Sequence, residues 1–571
     1  MTRVAGRPGL AVMGIGAFTH DSSAALIVDG ALVGFVEEER LSGEKHTGAY
    51  PEAAVEWLLA RAGLTPRDIA IVAYPFNARL FARGALRAAA RPTGMSRRRY
   101  RARVASYRRV WSNCRRRLAL LAARFPSARI VDVPHHLCHA MNAFAIAGVE
   151  HGAVLTIDSI GEDVSTTIIE MLPTNHRVLL QVRDPHSLGY AYGAVTEHLG
   201  YRRGDEEGTV MALAGLGDGE RYTPLLRDAI RLTASGFALN PAVFAPRVFS
   251  SAWPRLSELF INATFPSRAG DEPVASAHAD LAAALQARTE DCVLHLGRLA
   301  RRASTSDVLC VSGGVGMNCL ATGVLARSGL FERVTVPPAP GDSGNALGAA
   351  LWIERELGEC PVSGIEGTPF LGPDFDRGEM LEAAEARGFR TEVVEDAAEC
   401  LVGLMLEQRI VGVFRGRLEA GPRALGHRSI LANPLMPDVT ARLNARVKHR
   451  EPFRPFAPVV TAGGAHRFFE LEDESPFMSF AMPATCAAIE ALPSVVHANG
   501  TSRLQTVTPA SDAFLHDVLV QFERASGFPV LINTSLNVKG RPIAGTPGMA
   551  LDCLVEAELD ALLMHDVLVR R

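Results

Sequence analysis

The fold of this chain is indicated by its opening stretch, LAVMGIGAFTHDSSAALIVDGALVGFVEEERL, at residues 10–41. Apolar, strand-like runs flank Asp29-Gly30, and an Asp-Gly turn between such runs is a strong signal for a β-hairpin. A second stretch, GAVLTIDSIGEDVSTTIIEML at 152–172, repeats the scheme with a strand ending at Asp158, a polar turn and a β-branched strand. Two such units, separated by a helical region, predict a duplicated α/β domain.

The bulk composition describes a globular protein of more than one domain. The chain has 571 residues, of which 48% are hydrophobic and 21% charged, and this length exceeds what one core normally holds. The net charge of -3 argues against a general nucleic-acid binder. The segment Arg79–Arg124 is nevertheless rich in Arg at helical spacing, which predicts amphipathic helices with a cationic outer face. A solvated face is the simpler interpretation, and a patch for RNA or an acidic partner is the alternative.

Cysteine usage and hydropathy exclude several classes of protein. The nine cysteines are scattered without a CxxC pair, so neither a disulfide framework nor a zinc ribbon is indicated. No apolar run has the length of a membrane span, and the N-terminus does not read as a secretion signal. We therefore expect a cytoplasmic protein without a membrane contact.

Two segments mark the predicted domain organisation. Residues 360–380 are rich in Gly and Pro and read as a linker, so we expect one domain over 1–368 and a second over 369–571. Before the linker, DVLCVSGGVGMNCLATGVL (307–325) predicts a buried strand, a glycine turn and a helix. Gly313, Gly314 and Gly316 would let the backbone approach a nucleotide beside a helix N-terminus. A purely structural turn is the alternative.

The C-terminal part carries a cationic block in GPRALGHRS (421–429) and RVKHREPFRPFAP (446–458). Guanidinium groups match phosphate oxygens in pairs, so several fixed cations among turn residues favour a multi-anionic ligand. The chain has only three lysines among its 59 basic residues, which suggests that Lys448 is present for its compact charge. A solvated basic loop is the alternative. The cations of the block are Arg423, Arg428, Arg446, Lys448, Arg450 and Arg454.

Four dispersed residues could hold a metal ion. His135 and His139 are four residues apart, so on a helix they share one face. Asp158 at a strand end and Asp342 in a loop before a helix could add two carboxylates. Two imidazoles and two carboxylates suit Fe(II), Mn(II) or Zn(II). A structural histidine pair is the alternative, because the sequence does not show that the four residues converge.

Taken together, these segments resemble the O-carbamoyltransferase family that includes the nodulation, cephem and aminoglycoside carbamoyltransferases. The resemblance runs in order from about residue 11 to 545 and covers nearly the whole chain. The matching stretches are HDSSAAL, EEERLSGEKH, HHLCHA, TIDSIGE, SLGYAYGAVTEHLGY, SGGVGMN, VPPAPGDSGNALGAA, GPRALGHRS, RVKHREPFRPFAP, SRLQTV and NTSLN.

The resemblance implies a fold and a reaction. The fold is an α/β protein with a duplicated actin-like (ASKHA) domain over 1–368, followed by a YrdC-like domain over 369–571. The substrates are carbamoyl phosphate and ATP, the latter with Mg(II). The YrdC-like domain makes carbamoyl-adenylate and releases pyrophosphate, and the actin-like domain transfers the carbamoyl group to an acceptor hydroxyl.

The resemblance also implies roles for individual residues. His135, His139, Asp158 and Asp342 match the ligands of an iron ion, and His20 matches the histidine placed to act in carbamoyl transfer. From sequence alone, a helix or turn cap from Asp21 or Ser22 is at least an equal alternative. The glycine turn with Asn318 is assigned to cofactor binding. The residues that match ATP- and carbamoyl phosphate-binding positions are Arg423, Lys448, Arg454, Arg503, Asn533 and Ser535, to which we add Arg428; Lys448 and Arg454 are also assigned to catalysis.

Two departures from the family pattern concern these roles. Some members carry an acid two residues before the matching histidine, where this chain has Phe18. Many members have Gly-Lys where this chain has Gly208-Thr209, so a phosphate contact expected from that Lys is in doubt.

The acceptor and the assembly are not written in the sequence. The expected partner is a small-molecule hydroxyl acceptor resembling an antibiotic sugar, polyketide or nucleoside, and a homodimer is one candidate assembly. The first alternative function is threonylcarbamoyl modification of tRNA. The second is a non-catalytic, actin-like regulator that binds ATP and metal. Nucleic acid is not the expected partner, because the net charge is not basic.

Overall fold

A computed structural model describes residues 9–90, 95–250, 252–358, 362–365 and 367–571. Residues 360, 361 and 366 of the predicted linker, and 91–94 of the Arg-rich segment, lie outside the described residues. The described chain is a mixture of helices and β-sheets, so the predicted α/β class is confirmed. No helix in these ranges is both long and apolar enough to cross a membrane.

The chain divides into two compact units that are not contiguous in sequence. The first, here the N-terminal unit, contains the residues up to Phe18, Ala24–Val33 and Leu58–Gly367. The second, here the C-terminal unit, contains Thr368–Arg571 together with Thr19–Ser23 and Gly34–Trp57. Two short segments from the beginning of the chain therefore belong to the same unit as its last third.

Among the described residues before Thr368, twelve strands form two five-stranded sheets and one two-stranded sheet. They are β1 (Ala11–Gly16), β2 (Ser23–Val28), β3 (Ala31–Glu37), β4 (Ile71–Tyr74), β5 (Arg129–Asp132), β6 (Gly152–Gly161), β7 (Val164–Met171), β8 (His176–Arg183), β9 (Ile230–Thr233), β10 (Gly236–Leu239), β11 (Val308–Ser312) and β12 (Arg333–Thr335).

The two five-stranded sheets have the same strand order. The first runs β3-β2-β1-β4-β5 and the second β8-β7-β6-β11-β12. In both, three strands that are consecutive in the chain lie side by side. Two later strands then extend the sheet from the first of these three, and both pair in parallel. Asp29 and Gly30 between β2 and β3 have φ angles of 49° and 75°, the left-handed pair that a tight hairpin turn requires. The predicted hairpin and the predicted duplication are both present.

Twelve helices accompany these strands. They are α1 (Glu39–Ser42), α2 (Glu52–Ala62), α3 (Ala78–Ala88), α4 (Arg97–Arg124), α5 (His135–Ala147), α6 (Leu188–His198), α7 (Glu207–Leu213), α8 (Thr223–Ala229), α9 (Glu258–Ala263), α10 (Ser276–Ala303), α11 (Cys319–Ala326) and α12 (Asn345–Leu357). A Cβ on Gly14 of β1 would lie 1.9 Å from the carbonyl oxygen of Ala346, so β1 and α12 pack backbone to backbone. Helices α3 and α4 cover the Arg-rich segment, and Arg97, Arg101 and Arg108 of α4 are exposed, as the spacing predicts.

The C-terminal unit is built on an eight-stranded sheet, in the order β13-β22-β21-β14-β15-β20-β16-β19, with a separate β17–β18 pair. Its strands are β13 (Thr391–Val393), β14 (Val411–Phe414), β15 (Arg428–Ala432), β16 (Ala457–Thr461), β17 (Ala481–Pro483), β18 (Thr501–Arg503), β19 (Gln505–Val507), β20 (Val530–Ser535), β21 (Ala561–Met564) and β22 (Val567–Arg570).

Helices of this unit bury one face of the sheet. Apolar side chains of α14 and α17, among them Leu401 and Phe522, form one core cluster with Val411, Leu431 and Leu531 of the central strands. Helices α13 and α18 contact β14, β21 and β22 as well. The helices are α13 (Arg377–Glu385), α14 (Ala397–Leu406), α15 (Val439–Arg442), α16 (Cys486–Ala491), α17 (Ala513–Ser526) and α18 (Pro547–Glu556).

Candidate metal and anion sites

The structure brings the four predicted metal ligands together in the N-terminal unit. His135 and His139 lie on the first turns of α5, Asp158 lies on β6, and Asp342 lies in the turn before α12. Both histidines are fully buried, and Asp158 is 7% exposed. One ligand atom from each residue lies within 4.8 Å of all the others. The convergence that the sequence could not show is therefore present.

The distances fit a single ion. The His135 Nε2 atom lies 3.4 Å from a carboxylate oxygen of Asp158, 3.4 Å from one of Asp342, and 3.2 Å from the His139 Nε2 atom. Ligands about 2.1 Å from a common ion are separated by roughly 3.0 to 3.4 Å when they are neighbours in an octahedral or tetrahedral shell. The donor set of two nitrogens and two carboxylates suits a divalent transition metal.

His135 is held in the orientation that a ligand needs. Its Nδ1 atom lies 3.1 Å from the carbonyl oxygen of Pro75, and its ring stacks on Phe76 with the centroids 4.5 Å apart. Donation from Nδ1 to a carbonyl leaves the lone pair on Nε2, which faces the other ligands. A Cβ on Gly161 of β6 would lie 2.5 Å from the His135 ring, so only glycine lets this strand pass the imidazole.

His139 is positioned by two polar neighbours. The Ser312 hydroxyl lies 3.4 Å from its Nδ1 atom, and the Asn345 amide nitrogen lies 3.0 Å from its Nε2 atom. The Asn345 Oδ1 atom is buried and makes no hydrogen bond within the described residues. A buried polar atom of this kind calls for a further polar group or ion at the site.

The electrostatics of the cluster call for a cation. Burial alone would disfavour the charged imidazole, but the carboxylates of Asp342 and Asp158 raise the pKa of His135 well above its ordinary value. A proton on His135 therefore offsets the paired carboxylates, a task that a divalent ion performs without protonating its ligands.

The glycine turn lies against this cluster. Gly313 has a φ of 87°, and a Cβ there would lie 2.3 Å from the Ile157 carbonyl oxygen. The Gly314 N–H points at an Asp158 carboxylate oxygen at 3.4 Å, and Gly316 is buried in the short turn that follows. The Asn318 side chain caps α11 and exchanges two hydrogen bonds of 2.9 Å with Gln286. These contacts give the turn a role in placing Asp158, and its role in cofactor binding stays a prediction.

A buried carboxylate organises the cationic loop of the C-terminal unit. Glu419, 2% exposed, accepts hydrogen bonds from the backbone N–H groups of Leu425, His427 and Arg428 at 2.8 to 2.9 Å. Three N–H donors converging on one carboxylate oxygen fix the loop between β14 and β15 more firmly than neutral acceptors would. The GPRALGHRS stretch therefore has a defined backbone shape.

Arg428 is part of this scaffold. Its guanidinium donates to the carbonyl oxygens of Arg415, Pro373 and Gly416 and lies 3.8 Å from the centroid of the Phe414 ring. The side chain is fully buried, and its hydrogen bonds to these carbonyl groups hold the loop in place. The prediction that Arg428 contacts a ligand directly stays untested, and these hydrogen bonds favour a structural role.

Lys448 is buried at the end of β20. Its ammonium donates to the Ser535 carbonyl at 2.6 Å, the Ser535 hydroxyl at 3.2 Å, and the carbonyl and side-chain oxygens of Asn537 at 2.9 and 2.8 Å. Burial lowers the pKa of Lys448 to about 7, and the neighbouring cations Arg450 and Arg454 contribute. Within the described chain no carboxylate forms an ion pair with it.

Further cations surround Lys448. Burial lowers the pKa of Arg450 to about 9, and the charges of Arg454 and Arg503 lower it further, so these two guanidinium groups lie near Arg450. The Nε atom of Arg503 is buried and makes no hydrogen bond among the described residues, and the same holds for the Oδ1 atom of Asn533. Arg423 and Arg454 are half-buried in the same unit. This arrangement of close cations and unsatisfied polar atoms is what an anionic ligand would complete.

A pocket of about 310 Å³ adjoins this group. Asn537, which accepts from Lys448, lies in its wall together with Arg541 and Cys553. Its size is at the lower end of what small-molecule sites require.

His20 lies in the C-terminal unit and is 62% exposed. Its Nδ1 atom lies 2.8 Å from a carboxylate oxygen of Asp21, whose other oxygen lies 2.6 Å from the Nδ1 atom of His46. Hydrogen bonds from these imidazoles lower the pKa of Asp21 although burial opposes the shift. The expected acid at position 18 is absent, and the adjacent Asp21 is hydrogen-bonded to His20 instead.

Family comparisons identify the class of protein that these sites belong to. A family model described as "Carbamoyltransferase N-terminus" matches residues 11–351, and one described as "Carbamoyltransferase C-terminus" matches residues 402–571. The chain belongs to the carbamoyltransferase family and is a carbamoyltransferase enzyme. The resemblance predicted from the sequence motifs is thus confirmed.

Individual relatives agree with this assignment. The chain is 33% identical to the nodulation protein NolNO of Sinorhizobium fredii, over 97% of this chain and 79% of the relative. It is 34% identical to the nodulation protein NolO of Bradyrhizobium diazoefficiens, over 76% of this chain and 78% of the relative. It is also 31% identical to an uncharacterized protein of Synechocystis, over 98% and 96% of the two chains. Among solved structures, HypF of T. kodakarensis covers 62% of this chain and 48% of its own at 12% identity, with a TM-score of 0.32, a likeness too weak to carry functional information.

Several site residues were missed by the sequence interpretation. They are His46 and Asn345, which contact residues 25 and 206 positions away, and Glu419, which binds the backbone of residues six to nine positions further on; no local motif marks them. The EEER run at 37–40 was noticed only as part of a matching stretch. Three adjacent acids at the end of an apolar strand were the available signal, because such acids are costly to bury without partners.

Proposed function

We propose that this protein is an ATP-dependent O-carbamoyltransferase that makes carbamoyl-adenylate and then carbamoylates a hydroxyl of a small, antibiotic-like acceptor. The observation that carries the proposal is the group formed by Lys448, Arg450, Arg454 and Arg503. Burial and the neighbouring cations lower the pKa of Lys448 and Arg450, and none of Lys448, Arg450 and Arg503 has an ion pair among the described residues. In a carbamoyltransferase, the anions that suit such a group are the phosphates of ATP and carbamoyl phosphate.

The first half-reaction is assigned to the C-terminal unit, for which a YrdC-like fold is proposed. Hydrolysis of carbamoyl phosphate yields carbamate and phosphate, and a carbamate oxygen attacks the α-phosphorus of Mg(II)-bound ATP. The bond from that phosphorus to the bridging oxygen breaks, and pyrophosphate leaves. Arg423, Lys448 and Arg454 would offset charge on the phosphoryl oxygens, because fixed cations stabilise the transition state without reorganising.

The second half-reaction is the transfer of the carbamoyl group from the adenylate to an acceptor hydroxyl, with AMP as the leaving group. His20 would take the hydroxyl proton. With Nδ1–H donated to Asp21, the basic lone pair is on Nε2, and the carboxylate stabilises the imidazolium that forms. His20 is thereby supplied with the acid that Phe18 does not provide.

The N-terminal unit, for which an actin-like fold is proposed from its duplicated sheet order, would hold the metal through His135, His139, Asp158 and Asp342. We infer Fe(II), or another divalent ion, from the nitrogen and carboxylate donors. Such an ion would supply Lewis-acid polarisation of the carbamoyl carbonyl. The protein's residues contribute a rigid donor set, since His135 and His139 are each fixed by a second hydrogen bond.

Isotope exchange tests the first half-reaction without knowledge of the acceptor. The full chain, ATP and Mg(II) are incubated with labelled pyrophosphate, with and without carbamoyl phosphate. Incorporation of label into ATP that requires carbamoyl phosphate is expected. Lys448→Met should abolish most of it, whereas Arg524→Met, an exposed arginine of α17, should not. No exchange by a folded wild-type protein under any condition would overturn the proposal.

Mass spectrometry tests the second half-reaction. A panel of aminoglycosides, polyketides and nucleosides is offered together with ATP and carbamoyl phosphate, and each product is examined for the mass of an added carbamoyl group. Carbamoylation of at least one class is expected with the wild type and not with His20→Asn, which should retain exchange. Exchange without any small-molecule product, but with carbamoyl label in tRNA, would favour RNA modification instead.

A further inference from the structure

The run Glu37-Glu38-Glu39-Arg40 connects two groups that the proposed function uses separately. All four residues belong to the C-terminal unit and are less than 9% exposed. Glu38 accepts from the N–H groups of Ala53 and Ala54 at 3.2 and 2.9 Å and so caps α2. The side chains of Glu37 and Arg40 bind Gly421, and that of Glu39 binds Arg40 and His46.

The first and last residues of the run, Glu37 and Arg40, both bind the backbone of Gly421. The Gly421 N–H donates to the Glu37 carboxylate at 2.7 Å, and the Gly421 carbonyl accepts from the Arg40 guanidinium at 2.7 Å. Gly421 has a φ of 88°, which L side chains rarely adopt. Two charge-assisted hydrogen bonds therefore fix the turn from which Arg423 projects, two residues further on.

Arg40 and Glu39 also connect the run to His20. Arg40 Nη1 lies 3.0 Å from one Glu39 oxygen, and the second Glu39 carboxylate oxygen accepts the backbone N–H of His46 at 2.8 Å. The ring of His46 shares the Asp21 carboxylate with His20, at 2.6 and 2.8 Å. A series of charged and hydrogen-bonded contacts thus runs from Gly421 through Arg40 and Glu39 to the backbone of His46, and from the His46 ring through Asp21 to His20.

The burial along this series runs from inside to outside. The side chains of Glu37 and Arg40 are 4% exposed, that of Glu39 is 11%, those of Asp21 and His46 are 27% and 28%, and that of His20 is 62%. Burial raises the pKa of Glu37, although Arg40 and the Gly421 N–H oppose the rise. Arg40 is also fixed by its backbone, because a Cβ on Gly545 would lie 1.8 Å from its carbonyl oxygen. The inner end is rigid, and the outer end reaches solvent.

We propose that Arg40 and Glu39 are positioning residues that hold the Gly421–Arg423 turn and the His20–Asp21 pair as one hydrogen-bonded network. The proposal rests on the proposed function, since it assigns one scaffold to the adenylating cations and the transferring histidine. Asp21, Glu39 and His46 also offer ligand atoms within 4.8 Å of one another. The backbone N–H of His46 donates to Glu39 and its ring is hydrogen-bonded to Asp21, so no ion is needed to explain their approach.

The test uses the full chain and two readouts at opposite ends of the network. The first is the KM for carbamoyl phosphate in ATP–pyrophosphate exchange. Arg40→Gln loses the guanidinium that bridges Gly421 and Glu39, so the KM should rise about 10- to 100-fold with a smaller change in kcat. Arg40→Lys, which can donate to only part of these acceptors, should recover a portion of the loss. Arg524→Gln, the same change on an exposed helix face, should leave the KM unaltered.

The second readout is the titration of the His20 ring, followed by NMR with labelled histidine and assigned through His20→Asn. Loss of the Arg40 cation leaves Glu39 and Asp21 uncompensated, so the His20 midpoint should rise by about half a pH unit. Glu39→Gln removes a negative charge and should lower it. In a double-mutant cycle of Asp21→Asn with Arg40→Gln, the effects on the KM should be non-additive by more than about 0.5 kcal/mol, or about twofold.

The outcomes separate the inference from the function on which it rests. If the wild type shows no exchange, the proposed function fails, and the His20 titration still tests the network. If the wild type is active and folded Arg40→Gln keeps both its KM and the His20 midpoint, the network proposal is wrong. Should Arg40→Gln not fold, Glu39→Gln takes its place, and an unchanged His20 midpoint in that variant overturns the proposal equally.

Discussion

The protonation of Lys448 should make binding at the cationic group depend on pH. The ammonium is buried among the oxygens of Ser535 and Asn537 with Arg450 nearby, and its pKa is lowered to about 7. A phosphate ligand needs the charged form, so binding is coupled to uptake of a proton whenever the amine is neutral. Raising the pH through 7 should therefore weaken the affinity for carbamoyl phosphate.

The size of the effect follows from one titrating group. The apparent dissociation constant scales as one plus ten to the power of pH minus pKa, so between pH 6 and pH 8 it should increase about tenfold. Lys448→Met removes the charge at similar side-chain volume. It should weaken binding at pH 6 by about 1.5 to 3 kcal/mol, the usual value of a charge-assisted hydrogen bond.

The measurement is the KM for carbamoyl phosphate in pyrophosphate exchange, at pH 6, 7 and 8, with saturating ATP and Mg(II). Ionisation of the ligand's own phosphate affects wild type and variant alike, so the comparison isolates Lys448. Lys448→Arg provides a second control, because a guanidinium stays charged throughout this range. Parallel pH profiles in wild type and Lys448→Met would refute the reasoning, whatever their absolute activities.

Three further predictions concern the scaffold and the metal. His139→Ala should lower bound divalent metal in elemental analysis, whereas His136→Gln on the same helix, whose ring contacts Thr167 and Val164 instead, should not; equal metal content in both variants would contradict the ligand assignment. Gly161→Ala should lower the free energy of unfolding in denaturant by about 1 to 3 kcal/mol, because its Cβ would lie 2.5 Å from the His135 ring. Gly403→Ala, in α14 with nothing within 4 Å, should raise the free energy of unfolding by about 0.5 to 1 kcal/mol. Similar effects at both glycines would argue against the close approach. Without ligand, the free energy of unfolding should rise with pH between about 7 and 10. The pKa of Lys448 is about 7 in the folded protein and its ordinary value is 10.5, so the unfolded chain binds one more proton in that window. Lys448→Met should remove this rise in urea titrations followed by fluorescence.

Local sequence patterns were sufficient for the elements and for the family. The Asp29-Gly30 turn, the strand that ends near Asp158 and the Arg-rich helix α4 all depend on neighbouring residues, whose spacing is visible in the chain. The metal ligands could be nominated for the same reason, since His135 and His139 are one helical turn apart. Asp158 and Asp342 were nominated from their places at a strand end and before a helix, the family resemblance matched all four residues to iron ligands, and the distances of 3.4 to 3.5 Å came only from the structure.

The cationic block was recognised, and Lys448 was singled out as a rare lysine, but the contacts of its members were not predicted. In sequence, Arg428 and Lys448 are both cations among turn residues, and both were assigned to ligand binding. In the structure Arg428 donates to backbone carbonyls and holds the loop, whereas Lys448 is buried beside Ser535 with a lowered pKa. Which oxygen a side chain meets is decided by residues more than ten positions away, and one sequence carries no record of those pairings.

By itself, the sequence determined the α/β class, the duplicated strand pattern, the carbamoyltransferase family and the list of candidate residues, because periodicity and motifs are local properties. The tertiary structure alone decided that Thr19–Ser23 and Gly34–Trp57 belong with the C-terminal unit. It also decided that Asp21 is hydrogen-bonded to both His20 and His46, and that Glu37 and Arg40 hold Gly421, which is 384 and 381 residues further along the chain. Such contacts arise because buried charges must find partners wherever the folded backbone brings them.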